Sequence, residues 1–122
     1  KKDIAGAIAN SVFDAANLLD TKLIVAATMS GNSARLISNL RPRNLILATV
    51  PSEKVAYSLA LNSGVYPVVT EIYDSTDRII EDAKNKSKEF MKLEENDMII
   101  VTGGFPNDTE NKKTNFMKIE EI

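Results

Sequence analysis

Histidine and cysteine are both missing from this sequence of 122 residues. Without histidine, the chain lacks the most common general base and cannot form a Ser-His-Asp triad. Without cysteine it has no thiol nucleophile, and the loss of both residue types excludes the usual zinc sites. The absence of cysteine also excludes a disulfide framework, which fits a cytoplasmic protein. Any catalysis would therefore depend on Asp, Glu, Lys, Arg, Ser, Thr or Tyr side chains.

Neither sign of charge dominates, and long apolar runs are absent from the sequence. Fifteen basic and seventeen acidic residues give a formal net charge of −2, so we expect no nucleic-acid partner and no anionic membrane surface. No apolar run approaches the roughly 20 residues that a membrane-spanning helix needs, and no signal-peptide pattern opens the chain. The sequence thus favours a cytoplasmic location.

The length favours a single domain over residues 1–122, which is long enough to bury a core. The apolar fraction of 43% and the charged fraction of 26% are those of an ordinary globular protein. The first residue is Lys1 rather than methionine, and a helical pattern begins almost at once. We therefore expect the chain to be a piece cut from a longer polypeptide.

Apolar periodicity divides the chain into alternating helices and strands. Apolar residues spaced by three and four predict helices, whereas short apolar and β-branched runs predict strands. The predicted helices cover residues 3–19, 34–40, 52–62 and 76–91. The predicted strands cover residues 22–27, 45–49, 65–70, 98–102 and 116–122. Pro67 places the third strand at a sheet edge, because proline cannot donate to a ladder.

This alternation predicts an α/β fold with a mostly parallel sheet and helices on both faces. The connection between the last two strands contains no helix, which a parallel return normally needs. We therefore expect the fifth strand to be antiparallel. Within it, Met117 and Ile119 alternate with Lys118 and Glu120, which predicts that the two charged residues face solvent.

A candidate anion site, the 28–33 loop, lies between the first predicted strand and the second predicted helix. Its residues of interest are Thr28, Ser30, Gly31, Asn32 and Ser33. The first N–H groups of a helix lack intrahelical partners and carry partial positive charge, so this geometry suits phosphate. Hydroxyl groups add donors, and Gly31 permits close backbone approach. The alternative is an ordinary N-cap turn, because Ser and Asn are favoured there without any ligand.

A second loop of interest, the 103–113 loop, follows the fourth predicted strand. It is rich in Gly, Pro, Asn and Asp and is long for a connection, which favours function or flexibility. Ligands of open α/β sheets bind beyond the carboxyl ends of strands, where neighbouring strands send their connections in opposite directions. This rule makes the two loops the candidates for a binding site.

Five short motifs, in order along nearly the whole chain, resemble the C-terminal, allosteric domain of pyruvate kinase. They are the small-residue helix before the strand at 22–27, TMSGNSAR at 28–35 with Arg41-Pro42, GVYP at 64–67, NDMIIVTGGFP at 96–106, and Thr114-Asn115. Each motif is weak alone, but their order and spacing together make the resemblance strong.

The resemblance implies a three-layer α/β/α domain whose five-stranded mixed sheet has the order 3-2-1-4-5, with strand 5 antiparallel. In family members regulated by fructose 1,6-bisphosphate, the first loop holds one phosphate and the second closes over the sugar. By position, the phosphate-binding residues would be Thr28, Ser30, Gly31, Asn32 and Ser33. The lid would contain Gly103, Gly104, Phe105, Pro106, Lys112 and Lys113. Arg78, near the start of the fourth predicted helix, is a candidate for contact with a second phosphate, and a solvated helix charge is the alternative. AMP and hexose phosphates stay open as alternative effectors.

The resemblance also implies which functions lie elsewhere. The phosphotransfer site of pyruvate kinase is in a barrel domain that this chain does not contain. Mg²⁺, K⁺, ADP and ATP would bind there, so we expect no cofactor, metal ion or catalytic residue in this chain. The expected partners are a sugar phosphate or other anionic effector and further copies of the chain. The helix at 3–19 and the terminal strand would supply the subunit contacts.

Two other functions stay open from the sequence. The chain could be a structural oligomerisation domain or a stand-alone paralogue in which the anion site is vestigial. It could also be a small α/β enzyme that acts on a phosphate ester, with Asp97 or Asp77 as the base. Asp97 lies at the start of the fourth predicted strand, opposite the two loops, which argues against the enzyme.

Overall fold

A five-stranded sheet with helices on both faces forms the fold. The computed structural model describes residues 3–104 and 115–122. The helices are α1 (Ile4–Leu19), α2 (Asn32–Asn39), α3 (Glu53–Ser58) and α4 (Thr76–Phe90). The strands are β1 (Leu23–Ala27), β2 (Ile46–Val50), β3 (Val65–Val69), β4 (Met98–Gly103) and β5 (Phe116–Glu121). In these two described ranges, no helix combines the length and apolar content needed to cross a membrane.

The strands are ordered β3-β2-β1-β4-β5. All neighbours are parallel except β4 and β5, which are antiparallel. This arrangement confirms the fold predicted from the sequence. The central strand β1 is buried on both faces from Leu23 to Ala26, as its continuous apolar run indicates. Pro67 lies in the edge strand β3, as predicted, and is paired with Ala48 of β2.

Two apolar clusters, one on each face of the sheet, give the domain its three layers. On one face, Val12 of α1 and Ile37 of α2 pack with Ile24 of β1. On the other face, Ile80 of α4 packs with Val25 of β1. Successive side chains of a strand point to opposite faces, so the central strand separates the layer of α1 and α2 from the layer of α4.

The last strand differs from the sequence prediction. The prediction that Glu120 faces solvent is wrong, because its side chain is 15% exposed and its carboxylate pairs with Lys84 of α4 at 3.6 Å and with Lys118. On the opposite face Met117 packs against the sheet, but Ile119 stays 40% exposed. The physical reason is that α4 covers the Glu120 face and supplies a cation, so the carboxylate is stabilised without full hydration.

The third helix is shorter than the apolar spacing predicts. It ends at Ser58, after which the N–H of Leu59 donates to Ala56 O at 3.1 Å and the N–H of Ala60 to Tyr57 O at 3.1 Å. These are bonds between residues three apart, which tighten a helix end into a turn. Leu59 is fully buried, so the turn keeps this side chain in the core.

A polar cluster ties the end of β3 to α4. The carboxylate of Asp82 accepts hydrogen bonds from Thr70 Oγ1 at 3.0 Å, Tyr73 OH at 3.1 Å and Lys86 Nζ at 2.6 Å. The Asp82 side chain is only 10% exposed, so these donors replace water around its charge. The hydrogen bond to Asp82 raises the pKa of Lys86 above its ordinary value of 10.5, because it favours the protonated ammonium.

This pKa shift predicts a pH dependence of stability. The raised pKa means that the Lys86 contact stabilises the fold fully below pH 10.5 and loses that contribution as the pH rises through the folded-state pKa. Lys86→Met should therefore be less stable than the wild type in urea unfolding at neutral pH, and the difference should shrink in strongly alkaline solution. In Asp82→Asn, NMR should show Lys86 titrating at lower pH than in the wild type. An unchanged titration midpoint would contradict the assigned cause.

Two glycines with positive φ provide a matched pair of stability tests. Gly31 has φ 89° and Gly64 has φ 72°. A Cβ at Gly64 would meet no atom within 4 Å, whereas at Gly31 it would lie 3.1 Å from both Leu59 Cδ2 and Arg35 Nη2. We expect Gly64→Ala to lower the free energy of unfolding by about 1 kcal/mol through backbone strain. Gly31→Ala should lower it by roughly 1–3 kcal/mol more through overpacking. Equal losses in chemical denaturation would contradict the close packing at Gly31.

Candidate functional site

The candidate site lies where the carboxyl ends of β1 and β4 meet. These strands are parallel neighbours, with Ala26 paired to Thr102. A Cβ added to Gly103 would lie 3.3 Å from Ala27 Cβ and 3.2 Å from the ring of Phe116, so the strand ends are in contact. The chain leaves β1 for α2 on one face of the sheet, and α4 enters β4 from the other. Such a change of direction is where open α/β sheets bind ligands.

The 28–33 loop uses its own hydroxyl groups to hold its shape. Thr28 continues the ladder of β1, because its N–H donates to Thr49 O at 3.0 Å. Its Oγ1 accepts a hydrogen bond from the Gly31 N–H at 2.9 Å. The Oγ of Ser30 accepts from the Asn32 N–H at 3.3 Å. These contacts are those of the ordinary turn considered above, and they fix the direction in which α2 starts.

The first turn of α2 contains donors that have no acceptor. Gly31 is the N-cap and supplies no side-chain cap. Among the described residues, the N–H groups of Ser33 and Ala34 donate no hydrogen bond. The Ser33 side chain is buried, with 3% of the residue exposed, and its Oγ has no hydrogen-bond partner. The first turn of α2 thus contains two free N–H groups and one unpaired hydroxyl.

A basic side chain that the sequence prediction missed covers the same helix end. Arg35 is half-buried, and its guanidinium Nη2 donates to Ser58 Oγ of α3 at 2.9 Å. Its Nη1 donates to Ser30 O at 3.4 Å. From the sequence alone, a charged residue within a helix is normally interpreted as a solvent-exposed side chain. The available signals were its place at the end of the TMSGNSAR motif and its position in the first turn, four residues after Gly31.

Arg78, predicted to approach a second phosphate, lies elsewhere in the fold. It is at the start of α4, on the layer opposite α2, and pairs with Asp74 at 3.6 Å. Its guanidinium lies 5.5 Å from the ring centroid of Tyr73. It borders a cleft of about 670 Å³ next to β3 and α4, to which the 28–33 loop does not contribute. The structure does not bring Arg78 to that loop, and binding of a second phosphate by Arg78 stays a prediction.

The predicted lid is described only at its start and beyond its end. Gly103 is the last residue of β4 and Gly104 follows it, at the carboxyl end of the strands near the 28–33 loop. The N–H of Asn115 donates to Gly103 O at 2.8 Å, so the two ends of the connection lie side by side. The other predicted lid residues, Phe105, Pro106, Lys112 and Lys113, lie outside the described residues.

Neither carboxylate considered as a catalytic base belongs to the site. Asp97 precedes β4 at the opposite end of that strand, where its Oδ2 accepts a hydrogen bond from the Glu94 N–H at 2.8 Å. Asp77 lies in the first turn of α4. Within residues 3–104 and 115–122, no three acidic side chains are grouped so that they could hold a metal ion. The geometry thus assigns Asp97 to a turn.

Comparison with known proteins points to one family. A family model described as "Pyruvate kinase, alpha/beta domain" matches residues 6–120. The chain is 44% identical to a pyruvate kinase of Clostridium perfringens over 102 residues, which is 84% of this chain and 22% of that protein. It is also 44% identical to a pyruvate kinase of Lactococcus lactis over 109 residues, which is 89% of this chain and 22% of that protein.

A solved structure of the same family has the same fold. A Cryptosporidium parvum pyruvate kinase in complex with ADP superposes with a TM-score of 0.85 at 31% identity, over 99% of this chain and 24% of that one. The chain therefore spans 22–24% of the length of these relatives. With a family match over residues 6–120 and a shared fold, the chain belongs to the pyruvate kinase family, of which it is the C-terminal α/β domain.

Proposed function

We propose that this chain is the effector-binding and subunit-interface domain of a pyruvate kinase, and that it binds a phosphorylated sugar or another small anion at the 28–33 loop. The whole enzyme would convert phosphoenolpyruvate and ADP to pyruvate and ATP, with catalysis and its metal ions in the barrel domain. An effector would act by population shift, because a ligand that binds one arrangement of subunits better also stabilises it.

The free donors at the start of α2 carry this proposal. Buried polar groups are normally paired, and leaving a buried hydroxyl without a partner costs about 1–3 kcal/mol. The Ser33 hydroxyl and the two free N–H groups therefore form an unfavourable arrangement in the absence of a ligand. An anion would accept hydrogen bonds from all three and would meet the positive end of the helix dipole.

The position of the second loop supports a sugar phosphate rather than a bare anion. Gly103 and Gly104 begin the 103–113 loop at the carboxyl end of β4, and Thr28 follows the carboxyl end of the neighbouring parallel strand β1. A phosphate held by the first loop would leave the sugar beside the start of the second. Fructose 1,6-bisphosphate has both groups, and AMP and hexose phosphates offer a single phosphate in the same position.

Isothermal titration calorimetry of the 122-residue chain with fructose 1,6-bisphosphate, AMP and sulfate tests the proposal. We expect at least one of the three to bind at low salt. Ser33→Ala should weaken that binding by about tenfold, because a hydrogen bond to a charged ligand is lost. If a folded sample binds none of the three, by heat or by ligand-induced thermal stabilisation, the chain has no effector site of this kind.

Ser38→Ala is the matched control, because Ser38 is a second buried serine of the same helix. Its Oγ donates to Ser63 O at 2.8 Å, so its removal should lower the free energy of unfolding by about 1 kcal/mol. It should not change anion binding. Ser33→Ala should keep or raise stability, because a methyl group replaces an unpaired buried hydroxyl. A clear loss of stability in Ser33→Ala would mean that its hydroxyl has a structural partner.

Subunit association without a ligand is the second candidate function. It is favoured by apolar side chains that stay exposed, since Ile4 and Leu18 of α1 are 60% and 84% exposed, and Ile119 of the edge strand β5 is 40% exposed. The free edge of a sheet can pair with a strand of another chain. A homo-oligomer formed through α1 and β5 would cover these residues.

Sedimentation velocity distinguishes the two candidates. If association is the only function, the chain should form dimers or tetramers in proportions that fructose 1,6-bisphosphate does not change. Ile119→Lys should then shift the population toward monomer, because it places a charge in the contact. A monomer at every concentration would exclude association by the isolated chain, and a ligand-dependent population would favour effector binding.

A further inference from the structure

We propose that Arg35 is the charged ligand of the anion site, and that it exchanges Ser58 for the bound anion and so transmits occupancy of the site to α3. The inference rests on the proposed function, because it assigns a regulatory contact to the same site. It follows from the charge, the position and the present partners of this one side chain.

The charge of Arg35 is at the unfavourable end of a helix and lacks a counter-ion. Arg35 lies in the first turn of α2, where the helix dipole is positive and basic side chains destabilise. None of the ion pairs among the described residues includes Arg35. The residue is half-buried, and its guanidinium donates only to neutral oxygen atoms. An anion between the guanidinium and the helix end would supply the missing counter-ion. It would also offset the repulsion between the guanidinium and the positive end of the helix dipole.

The guanidinium already lies against the loop that would hold the anion. A Cβ added to Gly31 would come within 3.1 Å of Arg35 Nη2 and 3.3 Å of Arg35 Cζ. Gly31 is the N-cap, so the side chain folds back towards the N-terminal end of α2. A guanidinium presents several donors in one plane, which matches the oxygens of a phosphate.

The present partner of Arg35 connects the loop to α3. Arg35 Nη2 donates to Ser58 Oγ at 2.9 Å, and Ser58 Oγ donates in turn to Val55 O at 2.6 Å. The adjacent Leu59 side chain packs beside Gly31, where an added Cβ would lie 3.1 Å from its Cδ2. α3 is a short helix without buried residues of its own. Its Val55 and Ala56 are only partly buried against the core, so loss of the Arg35 contact should loosen it.

Two variants with opposite expected effects test the exchange. In NMR titrations of the 122-residue chain with fructose 1,6-bisphosphate and with inorganic phosphate, Arg35→Met should weaken binding by at least about tenfold. Ser58→Ala should strengthen it by about threefold, because the anion no longer competes with a hydroxyl for the guanidinium. A merely structural role of the contact would weaken binding in both variants. Arg35→Lys keeps the charge without the planar fork and should give intermediate affinity.

Hydrogen exchange of the α3 amides tests the transmission. Phosphate should speed their exchange in the wild type and leave it unchanged in Ser58→Ala, where exchange is already fast. Wild-type affinity in Arg35→Met, or in Arg35→Lys if the Met variant does not fold, would overturn the role of Arg35 while the proposed function stands. Unchanged or weaker binding in Ser58→Ala would overturn the exchange. Failure of the wild type to bind fructose 1,6-bisphosphate, inorganic phosphate, AMP and sulfate alike would overturn the proposed function itself.

Discussion

Parallel pairing of β1 with a strand on each side is the constraint on which the rest of the structure depends. Its backbone is bonded to β2 and β4, and its side chains are buried on both faces. The chain can therefore leave the sheet only beyond Ala27, through a turn that redirects it to one face. Thr28 still bonds to β2, and Gly31 takes the left-handed conformation that starts α2. The topology thus places the free N–H groups of α2 just beyond the carboxyl end of β1.

The same turn contains several polar and charged groups whose environment is unfavourable for folding. The hydroxyls of Thr28 and Ser30 accept from the N–H groups of Gly31 and Asn32, so they leave those of Ser33 and Ala34 unpaired among the described residues. Ser33 carries an unpaired buried hydroxyl, and Arg35 places a positive charge at a positive helix end. Proteins break local rules of this kind mostly at functional sites, where a ligand supplies what the chain lacks. The first turn of α2 meets that description better than any other helix start among the described residues.

Sequence patterns predicted the fold class and the antiparallel last strand, and the family resemblance supplied the strand order, but neither predicted the contacts between layers. The apolar run of β1, the proline of β3 and the helix-free connection before β5 predicted the sheet correctly, because each depends on local chemistry. The Glu120–Lys84 pair could not be predicted, since it depends on which face α4 covers. The position of Arg78 on the layer opposite α2 could not be predicted either, because it also depends on which face of the sheet α4 covers. Arg35 was missed because its partner is 23 residues away in the chain.

The hydrogen bond from Asn115 N–H to Gly103 O has a consequence for how the second loop can evolve. Thr102 Oγ1 also donates to Phe116 O at 2.8 Å, so the ladder closes immediately inside both ends of the connection. Closing a loop between fixed ends becomes less favourable by only about 0.6 kcal/mol for each doubling of its length. Insertions, deletions and changes of charge between these two anchor points would leave the sheet and the N-terminal end of α2 in place. One scaffold can in this way carry connections of different length and charge without being refolded.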